Sequence, residues 1–180
     1  MHLRRFTLLL FRFIFAVVVL TTGLHAAPQC PLTRIRTADV IVRQIVDRGY
    51  VSSPSFERLV DRIDASDLIV YIERRLLRSQ RLAGMTQFLV RAGGVRYVRI
   101  AIDSTLVERE SAAILGHELQ HAVEIAEAEW AVDHATVQEL FRRIGHQSSG
   151  GLDRYDTDEA VVIGQRVGRE LVGAAVPGGQ

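Results

Sequence analysis

The sequence predicts an α+β domain: two helices, a small antiparallel sheet, then three helices packed on it. Three observations carry this. Apolar residues recur at helical spacing before residue 67 and after residue 107. Between those limits they are β-branched or aromatic and partly alternate with polar residues. Ser, Thr and Asp caps and a Gly pair fall where the elements should join. With 180 residues and 48% apolar content, the chain can bury one substantial core.

The N-terminal segment stands apart. "MHLRRFTLLLFRFIFAVVVLTTGLHAA" has a basic start, an apolar run to Leu24 and small residues at Ala26 and Ala27. That is the pattern of a secretory signal peptide cut near Ala26. The alternative is an uncleaved membrane anchor, with Phe6 to Leu24 as the span. Either arrangement puts the rest of the chain outside the cytoplasm, with membrane contact only if the segment stays. Residues 27–173 then form a single domain, and 174–180 a flexible tail. Cys30 is the only cysteine, so it has no internal partner for a disulfide.

Each element follows from local signals. Residues 27–37 read as an extended lead-in. "TADVIVRQIVDRGY" (37–50) opens with a Thr and Asp cap signal; Val40, Ile41, Ile45 and Val46 make its apolar face, and Gly49 closes it. "SPSFERLVDRIDASD" (53–67) enters through Ser-Pro and repeats the pattern with Phe56, Leu59, Val60 and Ile63. "LIVYIE" (68–73) is a strand. Residues 86–102 are a hairpin turning at Ala92-Gly93-Gly94. Its arginines Arg91, Arg96 and Arg99 read as solvated positions that protect strand edges. A long helix runs from about Val107 to Trp130, with Trp130 in the core or packing at the helix end. Asp133 caps the next, which Gly145 ends. Residues 146–155 read as a loop, and Asp156 with Glu159 as a capping box opening the last helix.

Charge excludes one broad class. The net charge is +1, so basic and acidic residues nearly cancel and no nucleic-acid partner is expected. All 22 basic residues are arginine, a uniformity that reflects coding bias more than a binding surface.

The chemistry concentrates in "AAILGHELQHAVEIA" (112–126). Residues four apart on a helix lie about 40° apart around its axis, one turn along. His117 and His121 therefore share a face, at a spacing suited to two ligands of one tetrahedral Zn2+. Glu118 is rotated about 100° from His117. It falls outside that coordination sphere but can reach an attacking water as general base. Ala112, Leu115, Leu119, Ala122 and Ala126 line the opposite stripe and should pack on the core.

"ILGHELQHAV" resembles the active-site helix of the zincin metallopeptidases. The resemblance implies zinc ligands at His117 and His121, a general base at Glu118, and a peptide or protein substrate. The sequence departs from the metzincin branch, which would place a glycine at 124 and a histidine at 127; both are glutamate here. The third ligand must therefore come from elsewhere. Asp156, in "YDTDEA", is the first candidate, since its helix can fold back over the active one. Glu159, Glu124 and His134 are the others, Glu124 being better placed as an acid behind His121. Tyr155 either hydrogen-bonds the oxyanion or packs under the loop. The expected function is an exported zinc-dependent hydrolase, most simply a small metallopeptidase. The alternative is a non-catalytic zinc-binding or pseudo-enzyme module. A membrane-anchored interaction domain without metal is a weaker third.

Overall fold

The computed structural model describes residues 34–77, 82–147 and 155–174. The signal-like segment, Cys30, most of the loop before Tyr155 and the tail beyond Ala174 lie outside them. In chain order the elements are β1 (Ile35–Arg36), α1 (Val40–Ser52), α2 (Pro54–Asp64), β2 (Leu68–Arg75), β3 (Gly84–Ala92) and β4 (Val95–Asp103). They continue with α3 (Glu108–Glu127), α4 (His134–Ile144), β5 (His146–Gln147), β6 (Tyr155–Asp156) and α5 (Asp158–Ala174). The class is α+β, with five helices among the described residues.

The sheet is mixed, not antiparallel as expected. Its order is β1-β2-β4-β3, with β1, β2 and β4 parallel and β3 antiparallel to β4. The hairpin is the one anticipated, turning through Gly93 (φ 57°) and Gly94 (φ 80°), where a side chain would be strained. What the local pattern does not reveal is that β2 inserts against the inner arm. β4 carries the buried run Val98, Ile100, Ala101, Ile102 and becomes central, whereas the more polar β3 is left at the edge. No helix among the described residues is long and apolar enough to cross a membrane.

A single core cluster joins Val42, Ile45 and Val46 of α1, Phe56, Leu59 and Ile63 of α2, the inner sheet face, and Leu115, Leu119 and Val123 of α3. The predicted stripe of α3 packs inward, with Ala126 partly buried at its margin. On α1 the buried face is shifted. Val42, Ile45, Val46 and Gly49 are inside, while Val40 is 67% exposed. Gly49 does not end α1, which runs to Ser52. A Cβ there would strike the Phe56 ring at 2.9 Å, so the glycine is what lets α2 pack against α1.

Two side chains reverse their expected roles. Arg96 is buried, 1% exposed, and grips the C-terminal end of α3. Its Nη1 donates to the carbonyls of Ile125 (2.7 Å), Ala128 (2.9 Å) and Ala131 (3.1 Å), and Nη2 to that of Ala126 (2.8 Å). Its Nε and Nη2 also fork onto Asp67. The carbonyls that a helix end leaves unpaired are thus met by a cation at the negative pole of the helix. Trp130 is not core: it is 44% exposed, beneath the guanidinium of Arg143 at 5.1 Å.

Candidate metal centre

α3 carries His117, Glu118 and His121 with its back in the core and its far end clamped by Arg96. α5 crosses it closely. A Cβ at Gly164 would meet His117 Cβ at 3.0 Å and the Ala113 carbonyl at 3.1 Å, and one at Gly116 would meet Val167 at 2.9 Å. This small-residue contact lets the start of α5 reach the histidines. Asp156 precedes α5, on a two-stranded ribbon where it pairs with His146.

His117, His121 and Asp156 form a cluster whose ligand atoms lie within 4.8 Å of one another, and the three could hold a metal ion. Asp156 Oδ1 is 3.3 Å from His117 Nε2 and 3.6 Å from His121 Nε2. Both separations exceed the roughly 2.7–2.9 Å of a charge-assisted N–H···O bond. They match the spacing of about 3.4 Å between corners of a tetrahedron whose Zn–N and Zn–O bonds are about 2.0–2.2 Å. Two imidazoles and a carboxylate are a donor set suited to a divalent metal ion. The His117 and His121 rings stand nearly perpendicular, 4.9 Å apart.

The capping box expected of Asp156 and Glu159 does not form. α5 begins two residues after Asp156, and the hydroxyl of Thr157 accepts the Ala160 N–H at 3.1 Å instead. That cap releases the Asp156 carboxylate for the histidines. Glu159 is exposed and is not part of the cluster, and His134 is exposed on the cleft rim, edge-on to Phe88 at 5.6 Å. Glu124 lies behind His121, with Oε2 2.8 Å from Nδ1. A carboxylate on one ring nitrogen fixes the tautomer that leaves the other free to bind metal.

Glu118 is 5% exposed. The single hydroxyl proton of Thr86, from β3, lies between the Glu118 Oε2 (2.7 Å) and the Glu118 backbone carbonyl (3.0 Å). Gly84, two residues earlier, makes room for it: a Cβ there would sit 2.5 Å from Glu118 Oε1. Sequence reasoning missed Thr86, Gly84 and Thr157. No local pattern reports a contact 32 residues away, although Gly164 and Gly168 at helical spacing do hint at a close crossing.

The electrostatics favour a cation. Burial opposes charge on His121, but the facing carboxylates of Asp156 and Glu124 outweigh it and raise its pKa to about 10. Burial would raise Asp156 too, yet the two histidines hold it below the ordinary carboxylate value. For Glu118 burial wins: its pKa is raised despite His121, His117 and the Thr86 hydroxyl. A buried carboxyl with raised proton affinity is suited to accept a proton from water.

The cluster opens into a cleft of about 520 Å³ between β3 and α4, with Phe88, Val137 and Phe141 on its apolar wall and Gln87, Gln138 and Tyr155 among its polar groups. Asp103 N–H donates to Ala83 O at the start of the hairpin. By antiparallel alternation, the backbone groups of Gly84, Thr86 and Phe88 face outward along the open edge. The chain matches no family model, no curated protein and no solved structure.

Proposed function

We propose that this chain is a small zinc-dependent hydrolase, a metallopeptidase acting on peptide or protein substrates outside the cytoplasm. One observation carries the reading: a buried glutamate, held by a threonine on an edge strand, stands beside two histidines and an aspartate gathered at coordinating spacing. His117, His121 and Asp156 would hold the ion. Bound zinc supplies Lewis acidity, polarising a carbonyl and lowering the pKa of water towards about 7. Glu118 takes the proton of the attacking water and returns it to the leaving amine. The outward backbone of β3 pairs with an extended peptide and lays its carbonyl by the cluster. The basic-then-apolar N-terminal segment supports export.

The test uses protein made without an affinity tag. Metal analysis finds stoichiometric zinc, and the chain cleaves fluorescein-labelled casein. Glu118→Gln keeps the zinc and loses the cleavage. Asp156→Ala loses zinc affinity far more than Glu159→Ala. A wild-type chain that binds no zinc, or a Glu118→Gln variant as active as wild type, refutes the proposal. Zinc uptake with no hydrolysis that depends on Glu118 leaves the non-catalytic zinc-binding module in its place.

A further inference from the structure

A chain of hydrogen bonds runs behind the cluster from His121 to Asp156. His121 Nδ1 meets Glu124 Oε2 at 2.8 Å, and Glu124 Oε1 accepts the Thr157 hydroxyl at 2.7 Å. The Thr157 N–H donates to Asp156 Oδ1 at 2.9 Å, and that oxygen lies 3.6 Å from His121 Nε2, the spacing of two ligands of one ion. Gln120 Nε2 adds a longer contact to Glu124 at 3.5 Å. Thr157 is 3% exposed and the Glu124 side chain 9%, so water offers little substitute for any link.

We propose that Thr157 is a positioning residue for the metal ligands, fixing His121 through Glu124 and Asp156 through its own N–H. This rests on the reading that His117, His121 and Asp156 bind zinc. The hydroxyl has a single proton, and it goes to Glu124. Its lone pair takes the Ala160 N–H that begins α5. One side chain therefore starts the helix that brings in the third ligand and orients the carboxylate that aims the second. Valine has neither group, while serine has both. With Nδ1–H directed at Glu124, Nε2 is the ring nitrogen of His121 left for a metal ion, on the side of Asp156 and His117. A carboxylate behind a metal-binding histidine typically contributes 10–100-fold in metal affinity. Thr157 acts on the same ring through that carboxylate, so its removal should cost a similar factor.

The experiment titrates metal-free protein with Zn2+ in competition with a chromophoric chelator, and needs no substrate. Thr157→Val should weaken zinc binding about 10–100-fold, while Thr157→Ser stays near wild type. Glu124→Gln should lose about as much as Thr157→Val, and the double variant no more than the weaker single one, because both break the same link. Losses that multiply in the double variant would mean that Thr157 serves only as a helix cap, and would overturn the proposal. So would wild-type affinity in Thr157→Val, or equal losses in the Ser and Val variants. If Thr157→Val does not fold, Glu124→Gln leaves the cap intact and decides alone: undiminished affinity there overturns the circuit. Zinc binding by wild type with no loss in these variants rejects the circuit but leaves the proposed function standing. A wild-type chain that takes up no zinc rejects both.

Discussion

Replacing Arg96 by methionine removes the clamp on α3 while nearly conserving volume. Four carbonyl oxygens and the Asp67 carboxylate lose their donor. Hydrogen bonds to a charged group contribute about 1.5–3 kcal/mol each, and three N–H groups remain for the carbonyls once Asp67 is served, so these set a ceiling of roughly 9 kcal/mol. The true loss is smaller. Asp67 is 40% exposed at its side chain and regains water, Ala126 is only half buried, and the desolvation cost of the guanidinium disappears. Breaking a buried pair by removing one partner costs about 3–5 kcal/mol, and that is the expected destabilisation. It is a large share of the roughly 5–15 kcal/mol by which domains are stable. Urea unfolding at neutral pH, followed by circular dichroism with a chelator present, isolates it from zinc linkage. Arg96→Lys should fall between, since three ammonium protons cannot serve all the acceptors. A loss below about 1 kcal/mol for Arg96→Met would mean a solvated surface arginine, and would refute the clamp.

Thr86→Val should keep zinc content and fold but lower kcat on labelled casein about 100-fold with KM little changed, because a misplaced general base costs that order; Thr86→Ser should restore the rate, and unchanged kcat would remove Thr86 from the site. Gly164→Ala should destabilise by about 1–3 kcal/mol, since its new methyl meets His117 Cβ and the Ala113 carbonyl, neither of which can swing away. Zinc affinity should fall with it, as Asp156 is carried at the head of the same helix; a neutral result in both assays would mean that α3 and α5 have slack. Glu170 supplies a pH effect. Burial would raise its pKa, but Ser53 and Ser55 donate to it and hold it below its ordinary value of 4.5. A depressed folded-state value gives stability that is present above about pH 4.5 and lost as pH falls through the lower folded value. Glu170→Gln should therefore be less stable than wild type at pH 7, with the difference closing in strong acid; a constant gap across the pH range would contradict this.

The sequence by itself determined the local facts. Periodicity placed the five helices to within a few residues, because an amphipathic face and its caps act over one or two turns. The Gly93-Gly94 turn was legible because positive φ is cheap only for glycine. The spacing of His117 and His121 put both rings on one helical face by geometry alone. Tertiary structure decided what depends on contacts distant in sequence. It set β4 at the sheet centre, buried Arg96 against the end of α3, brought Thr86 to Glu118, and moved the helix cap from Asp156 to Thr157. Arg96 and Arg99 sit three apart in one strand, yet only one meets a row of carbonyls. An arginine is soluble in water and equally satisfied by helix-end carbonyls, and nothing in its neighbours' identities chooses between them; the chain's path through space does.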